Sequence, residues 1–178
     1  MNQLSISERA RDLLYFIART GFYCEHFNKS INVSDFTITK LINNGVLEYK
    51  NPMLIFGKMM GVYILSKSGI KTVKKQLLIR PYKPSVGGLN QLEHDFILGK
   101  VYERLNKVER DTWITETDLA ILYPEGTVVD GLYTNMNGNK VGVEILTNTY
   151  SKSIIEDKMK FIDKYCDKKI VVNTTDIK

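Results

Sequence analysis

Asn32-Val33-Ser34-Asp35-Phe36-Thr37-Ile38-Thr39-Lys40-Leu41-Ile42-Asn43-Asn44-Gly45-Val46-Leu47-Glu48-Tyr49-Lys50 is the stretch in which the chain changes period, and that change decides the fold. Asn32-Val33-Ser34-Asp35 supplies a helix N-cap, because short oxygen-bearing side chains there accept hydrogen bonds from the first free backbone N–H groups. Phe36, Ile38, Leu41 and Ile42 form the expected buried stripe. Ser34, Asp35, Thr37, Thr39, Lys40 and Asn43 are left facing outward. Asn43-Asn44-Gly45 is a left-handed stop, and Val46–Lys50 then reads as a strand.

Working toward the N-terminus, Ser5-Ile6-Ser7-Glu8 has capping-box spacing ahead of a helix with Ala10, Leu13, Leu14 and Ile17 on one face. Gly21 ends that helix, and a short second one anchored by Phe27 is predicted over Cys24–Lys29. Working the other way, Gly61–Leu65 is a second strand, separated from the first by a loop over Asn51–Met60. A helix from Ser66 to Leu78 follows. Helix, helix, helix, hairpin, helix is the order of a winged helix-turn-helix, assigned here to residues 1–79.

Arg80-Pro81-Tyr82-Lys83-Pro84-Ser85-Val86-Gly87-Gly88 cannot continue a helix and reads as a linker, residues 80–88. The second domain, 89–178, is read as a helix over Leu89–Val108 and strands over Trp113–Ile121, Thr127–Asn135 and Lys140–Thr147. A helix over Ser151–Tyr165 and a strand over Lys169–Asn173 complete an αβββαβ order. Asn135-Met136-Asn137-Gly138-Asn139 is a hairpin signal between the second and third strands. The fold class is therefore mixed, α+β or α/β.

Hydrophobic residues make up 43% and charged residues 25% of the 178, which argues against disorder. No apolar run reaches the length of about 20 residues that spans a bilayer. The start of the sequence has no leader pattern, and Cys24 and Cys166 have no metal-ligand spacing. These features predict a cytoplasmic protein with two free thiols and no membrane partner. The net charge of +5 is uneven. Residues 1–80 carry twelve Lys/Arg and five Asp/Glu, a net +7, whereas residues 81–178 carry thirteen and fifteen, a net −2. A polyanion would meet the N-terminal half first, so double-stranded DNA is the expected partner. Thr37, Thr39, Lys40 and Asn43 offer hydrogen-bonding side chains to base edges, and Lys50 and Lys58 bracket the hairpin where they could reach phosphates.

In the second domain Glu93 falls on the first helix, Asp130 in the second strand and Glu144 in the third. An αβββαβ core with acids at those places resembles the PD-(D/E)XK restriction-endonuclease-like fold. That resemblance implies Asp130 and Glu144 as Mg²⁺ ligands with Glu93 in support, since Mg²⁺ takes hard oxygen donors. Val129-Asp130 stands where Pro-Asp is usual, and Leu146 stands where the orienting lysine is usual. Lys158 or Lys160 on the next helix could supply that charge from another direction, Lys158 being the catalytic candidate. His94 reads as a hydrogen-bonded helix residue rather than a base, and Glu116 and Asp118 as a solvated strand face.

The whole chain resembles the replication-relaxation family of plasmid and mobile-element proteins. The resemblance is carried by Leu65-Ser66-Lys67-Ser68-Gly69, Leu92-Glu93-His94-Asp95, Val129-Asp130-Gly131, Gly142-Val143-Glu144 and the Lys158–Tyr165 helix. It implies a DNA-binding protein of a plasmid or phage acting in replication, relaxation or mobilisation. The resemblance leaves catalysis open; Leu146 in place of the lysine favours a non-catalytic domain that needs no cofactor, with Mg²⁺ required only if it is active, and relaxosome proteins or a second copy are the further partners. Two alternatives stay open: a Mg²⁺-dependent DNA endonuclease, and a phage or plasmid factor that binds and inhibits a host protein.

Overall fold

The computed structural model describes residues 6–82 and 89–177, a mixed α+β chain with helices around two separate sheets. It divides into two compact units, Met1–Pro84 and Ser85–Lys178.

In the first unit α1 (Glu8–Thr20) starts at Ser7, whose side chain accepts the Ala10 N–H; Ser5, the expected cap, lies outside the described residues. Its face of Ala10, Leu13, Leu14, Phe16 and Ile17 is buried, each large side chain contributing about 1.5–3 kcal/mol by leaving water. The second helix expected at Cys24–Lys29 is broken up. Tyr23–Cys24 is a two-residue strand, β1, because it pairs with Tyr63 and Val62. A 3-10 turn at Glu25–Phe27 and α2 (Asn28–Ile31) follow.

The next helix, α3, spans Asp35–Asn43 and is capped by Ser34, which accepts the Thr37 N–H. Ile38 and Leu41 are buried, but Phe36, expected beside them, is 77% exposed. At about 100° per residue Phe36 and Ile38 stand some 200° apart, so one stripe cannot hold both. Gly45, at φ 67°, then turns the chain into the first strand of the hairpin.

The hairpin is longer than expected: β2 spans Leu47–Ile55 and β3 Lys58–Leu65. Asn51–Met60, predicted as a loop, is mostly paired strand. Asn51-Pro52 marks a register shift between Lys50 and Met53 rather than a turn, and the pairing resumes at Met53↔Met60. Proline is tolerated there because β2 lies at the edge of the order β1-β3-β2. Phe56 and Gly57, both at positive φ, form the turn, as a two-residue hairpin turn of the primed type requires.

The predicted Ser66–Leu78 helix is α4 (Lys67–Thr72) continued by a π-turn at Val73–Leu77. A Cβ on Gly69 would lie 2.0 Å from the Val46 carbonyl oxygen, so the close approach of α4 to the start of β2 depends on glycine. Part of the expected linker belongs to this unit: Tyr82 is buried and donates its N–H to the Ala18 carbonyl at 2.8 Å. Residues 83–88 lie outside the described part.

The second unit departs from a plain αβββαβ order. The predicted Leu89–Val108 helix is two helices, α5 (Leu89–Arg104) and α6 (Lys107–Asp111), because Asn106 and Glu109 form a capping box between them. The predicted Trp113–Ile121 strand is only Ile114–Thr115, β4. Thr115 there accepts the Asp118 N–H and starts α7 (Glu116–Leu122). Glu116 and Asp118 are thus in the first turn of a helix, where its dipole favours acids, and not on a strand face. β5 (Gly131–Thr134) and β6 (Lys140–Leu146) form the expected hairpin through Asn135–Asn139. α8 (Lys152–Tyr165) crosses back so that β7 (Lys168–Asn173) pairs parallel to β6. The sheet order is β4-β5-β6-β7, and Leu119, Val128, Val129, Leu132, Phe161 and Ile162 form its core.

Candidate functional site

Strand β6 is flanked on both sides, by β5 and β7, so Glu144 in its middle is wholly buried. Asp130, immediately before β5, is 1% exposed. Burying an ionised carboxylate is costly unless cations and N–H donors replace water, and here both kinds are supplied. The Ile145 N–H donates to Asp130 Oδ2 at 2.7 Å. From α5, His94 Nε2 lies 3.1 Å from the same oxygen, and His94 Nδ1 lies 3.0 Å from Asp95 Oδ1. From α8, Lys158 Nζ lies 2.8 Å and 2.9 Å from the two oxygens of Glu144 and 3.7 Å from Asp130 Oδ1. Tyr150 closes this side, with Lys158 Nζ 5.3 Å from its ring centre.

The electrostatics follow from that packing. Burial disfavours a charged His94, but its hydrogen bonds to and charge attraction by Asp130 and Asp95 outweigh burial and push it up to about 10. His94 is therefore an imidazolium donating on both sides, which leaves it no lone pair with which to act as a base. Burial opposes the charge on Lys158 too, yet Asp130 and Glu144 hold it above the usual lysine range. Asp130 is lowered: burial would raise it, and His94, Lys158 and the Ile145 N–H prevail. Glu144 is pushed up to about 8 by burial and by the Asp130 charge, against the pull of Lys158. Glu116 is raised by burial and then by Asp130, to whose carbonyl it donates its own N–H at 3.1 Å.

Asp130, Glu144 and Lys158, far apart in sequence, thus meet. Glu93 is half-buried on α5, and its neighbours His94 and Asp95 are the residues whose contacts join this cluster. Lys160, the other candidate from α8, points to solvent and pairs with Asp157 at 2.8 Å. The bridging role of His94 and the proximity of Glu116 and Tyr150 escaped the sequence reading. The His94-Asp95 pair was the visible clue, but which way its ring points depends on packing.

The set does not suit Mg²⁺ as it stands. That ion keeps several waters, whereas these oxygens are buried, Asp130 Oδ2 is taken by His94 and the Ile145 N–H, and the Lys158 ammonium already lies against Glu144. Among the described residues no group of three or more His, Cys, Asp or Glu is arranged to hold a metal.

No family model, curated protein or solved structure matches the chain.

The first unit offers a different surface. On α3, Thr39, Lys40 and Asn43 are exposed, whereas Thr37 is half-buried and engaged with its cap: its hydroxyl lies 3.0 Å from Ser34 Oγ. Lys58 is exposed at the hairpin turn. Lys50, expected to face phosphate, pairs with Glu48 at 2.6 Å. Lys67, Lys71, Lys74 and Lys75, all exposed on α4 and its π-turn, add a basic stripe that the sequence reading left out. Their three- and four-residue spacing from Lys71 was the available signal. Neither Cys24 nor Cys166 is in a disulfide, and no helix among the described residues is long and apolar enough to cross a membrane.

Proposed function

We propose that the chain is a DNA-binding protein of a plasmid or phage, acting in replication, relaxation or mobilisation. The first unit serves as a winged helix: α3 reads the major groove with Thr39, Lys40 and Asn43, and the hairpin reaches phosphate through Lys58. The second unit is a nuclease-like domain that does not cleave and that adds a surface for relaxosome proteins or a second copy. The observation that carries the reading is the exposed Thr39-Lys40-Asn43 face on a unit of strong positive charge.

A mobility-shift titration tests it. Wild type should retard a duplex, and the Lys40→Ala/Asn43→Ala variant should bind much more weakly. Equal binding by both proteins refutes the assignment of α3. Run with Mg²⁺, the same titration reads cleavage. Strand breaks that Asp130→Ala abolishes would replace this proposal with a metal-dependent endonuclease.

A further inference from the structure

We propose that Lys158 is the resident cation of the second unit, occupying the position a divalent ion would need in order to bridge Asp130 and Glu144. The native chain therefore excludes that ion, and removing Lys158 uncovers a divalent-cation site. This deepens the reading of the second unit as non-cleaving and is independent of DNA binding by the first.

The argument is geometric. A metal shared by two carboxylates must sit against an oxygen of each. Lys158 Nζ already does so, within 2.9 Å of both Glu144 oxygens and 3.7 Å from Asp130 Oδ1. The other Asp130 oxygen is filled from two directions, by His94 Nε2 and the Ile145 N–H. The lysine cannot easily swing out to make room: its side chain is 4% exposed and its ammonium lies over the Tyr150 ring. A divalent ion entering beside it would bring two cations together among residues that are each at most 3% exposed, where their repulsion is weakly screened. With the lysine shortened, Glu144 loses its nearest positive charge and Asp130 is left with that of His94 alone. The space of the missing methylenes and ammonium becomes available to an ion with some of its waters, and the oxygen donors are of the hard type that Mn²⁺ and Mg²⁺ take.

The test is a Mn²⁺ titration of the full chain without DNA, followed by electron paramagnetic resonance and by the melting temperature. Wild type should show no saturable site and no shift in Tm. Lys158→Ala should melt lower than wild type, bind Mn²⁺ stoichiometrically and regain part of its lost Tm as Mn²⁺ is added, because an ion that binds only the folded state stabilises it. Adding Glu144→Gln to that variant should remove the response. Should Lys158→Ala not fold, Lys158→Ser carries the same arm, since it removes the charge, leaves the space open and keeps a small polar group beside the carboxylates. A stoichiometric Mn²⁺ site in wild type that Glu144→Gln abolishes would overturn the inference, as would a folded Lys158 variant that binds none. Mn²⁺ binding by wild type without DNA cleavage would overturn only this inference and leave the non-cleaving reading standing.

Discussion

The two units handle charge in opposite ways. The first displays it: Lys40, Lys58, Lys67, Lys71, Lys74 and Lys75 are all exposed. The second encloses it: His94, Asp95, Asp130, Glu144 and Lys158 are each at most 3% exposed and face one another. Displayed charge costs little to maintain and remains free to meet a polyanion. Enclosed charge holds helices α5 and α8 to the sheet, and its partners are already inside the protein. The same residue type, lysine, can be a ligand-facing group in one setting and a structural counter-ion in the other.

Removing an enclosed charge should have the largest effect. Lys158→Ala should lower unfolding stability by about 3–5 kcal/mol, because it strands buried carboxylates. A loss under about 1 kcal/mol in urea denaturation would mean the cluster is better hydrated than its burial implies. A displayed charge should behave differently. Lys40→Ala should weaken duplex binding by about tenfold while leaving the urea midpoint unchanged.

The enclosed set also gives a pH signature. His94 is raised to about 10, so its contribution to stability is fully present below its ordinary value of 6.5 and is lost as pH rises through 10. Glu144, raised to about 8 from 4.5, works in the same direction, since its ionisation is penalised in the folded state. Stability should therefore decline from about pH 4.5, where Glu144 begins to contribute, to about pH 10, where His94 ceases to, with a limiting slope of about 1.4 kcal/mol per pH unit for each proton. His94→Gln should flatten that decline, and an unchanged profile would mean the imidazolium is not held as described. The smallest effect belongs to Phe36→Ser on exposed α3, within about 0.5 kcal/mol. Leu41→Ala on the buried face of the same helix should cost about 2–5 kcal/mol, and equal costs would reverse the assignment of faces.

Local rules made much of this legible. The spacing of Ala10, Leu13, Leu14 and Ile17 identified α1, and Asn137-Gly138 identified the β5–β6 turn, because caps, turns and stripes depend on near neighbours. Asp130 and Glu144 were singled out by their order along the chain. The failures arose where two local signals compete or where tertiary packing decides. Alternation over Trp113–Ile121 suggested a strand, but the Thr115 cap won and produced α7. Asn51-Pro52 looked like a loop, although an edge strand can absorb it as a register shift. Neither the two-sided bonding of His94 nor the approach of Lys158 to Glu144 leaves a trace in sequence spacing, since each depends on how a helix lies against β6.

The salt dependence of duplex affinity for the full chain tests the central claim most directly. If the displayed charge of the first unit meets phosphates, log affinity should fall linearly with log salt, and Lys58→Ala should reduce the slope by about one. Retention of affinity across the salt range, or no association even at low salt, would contradict it.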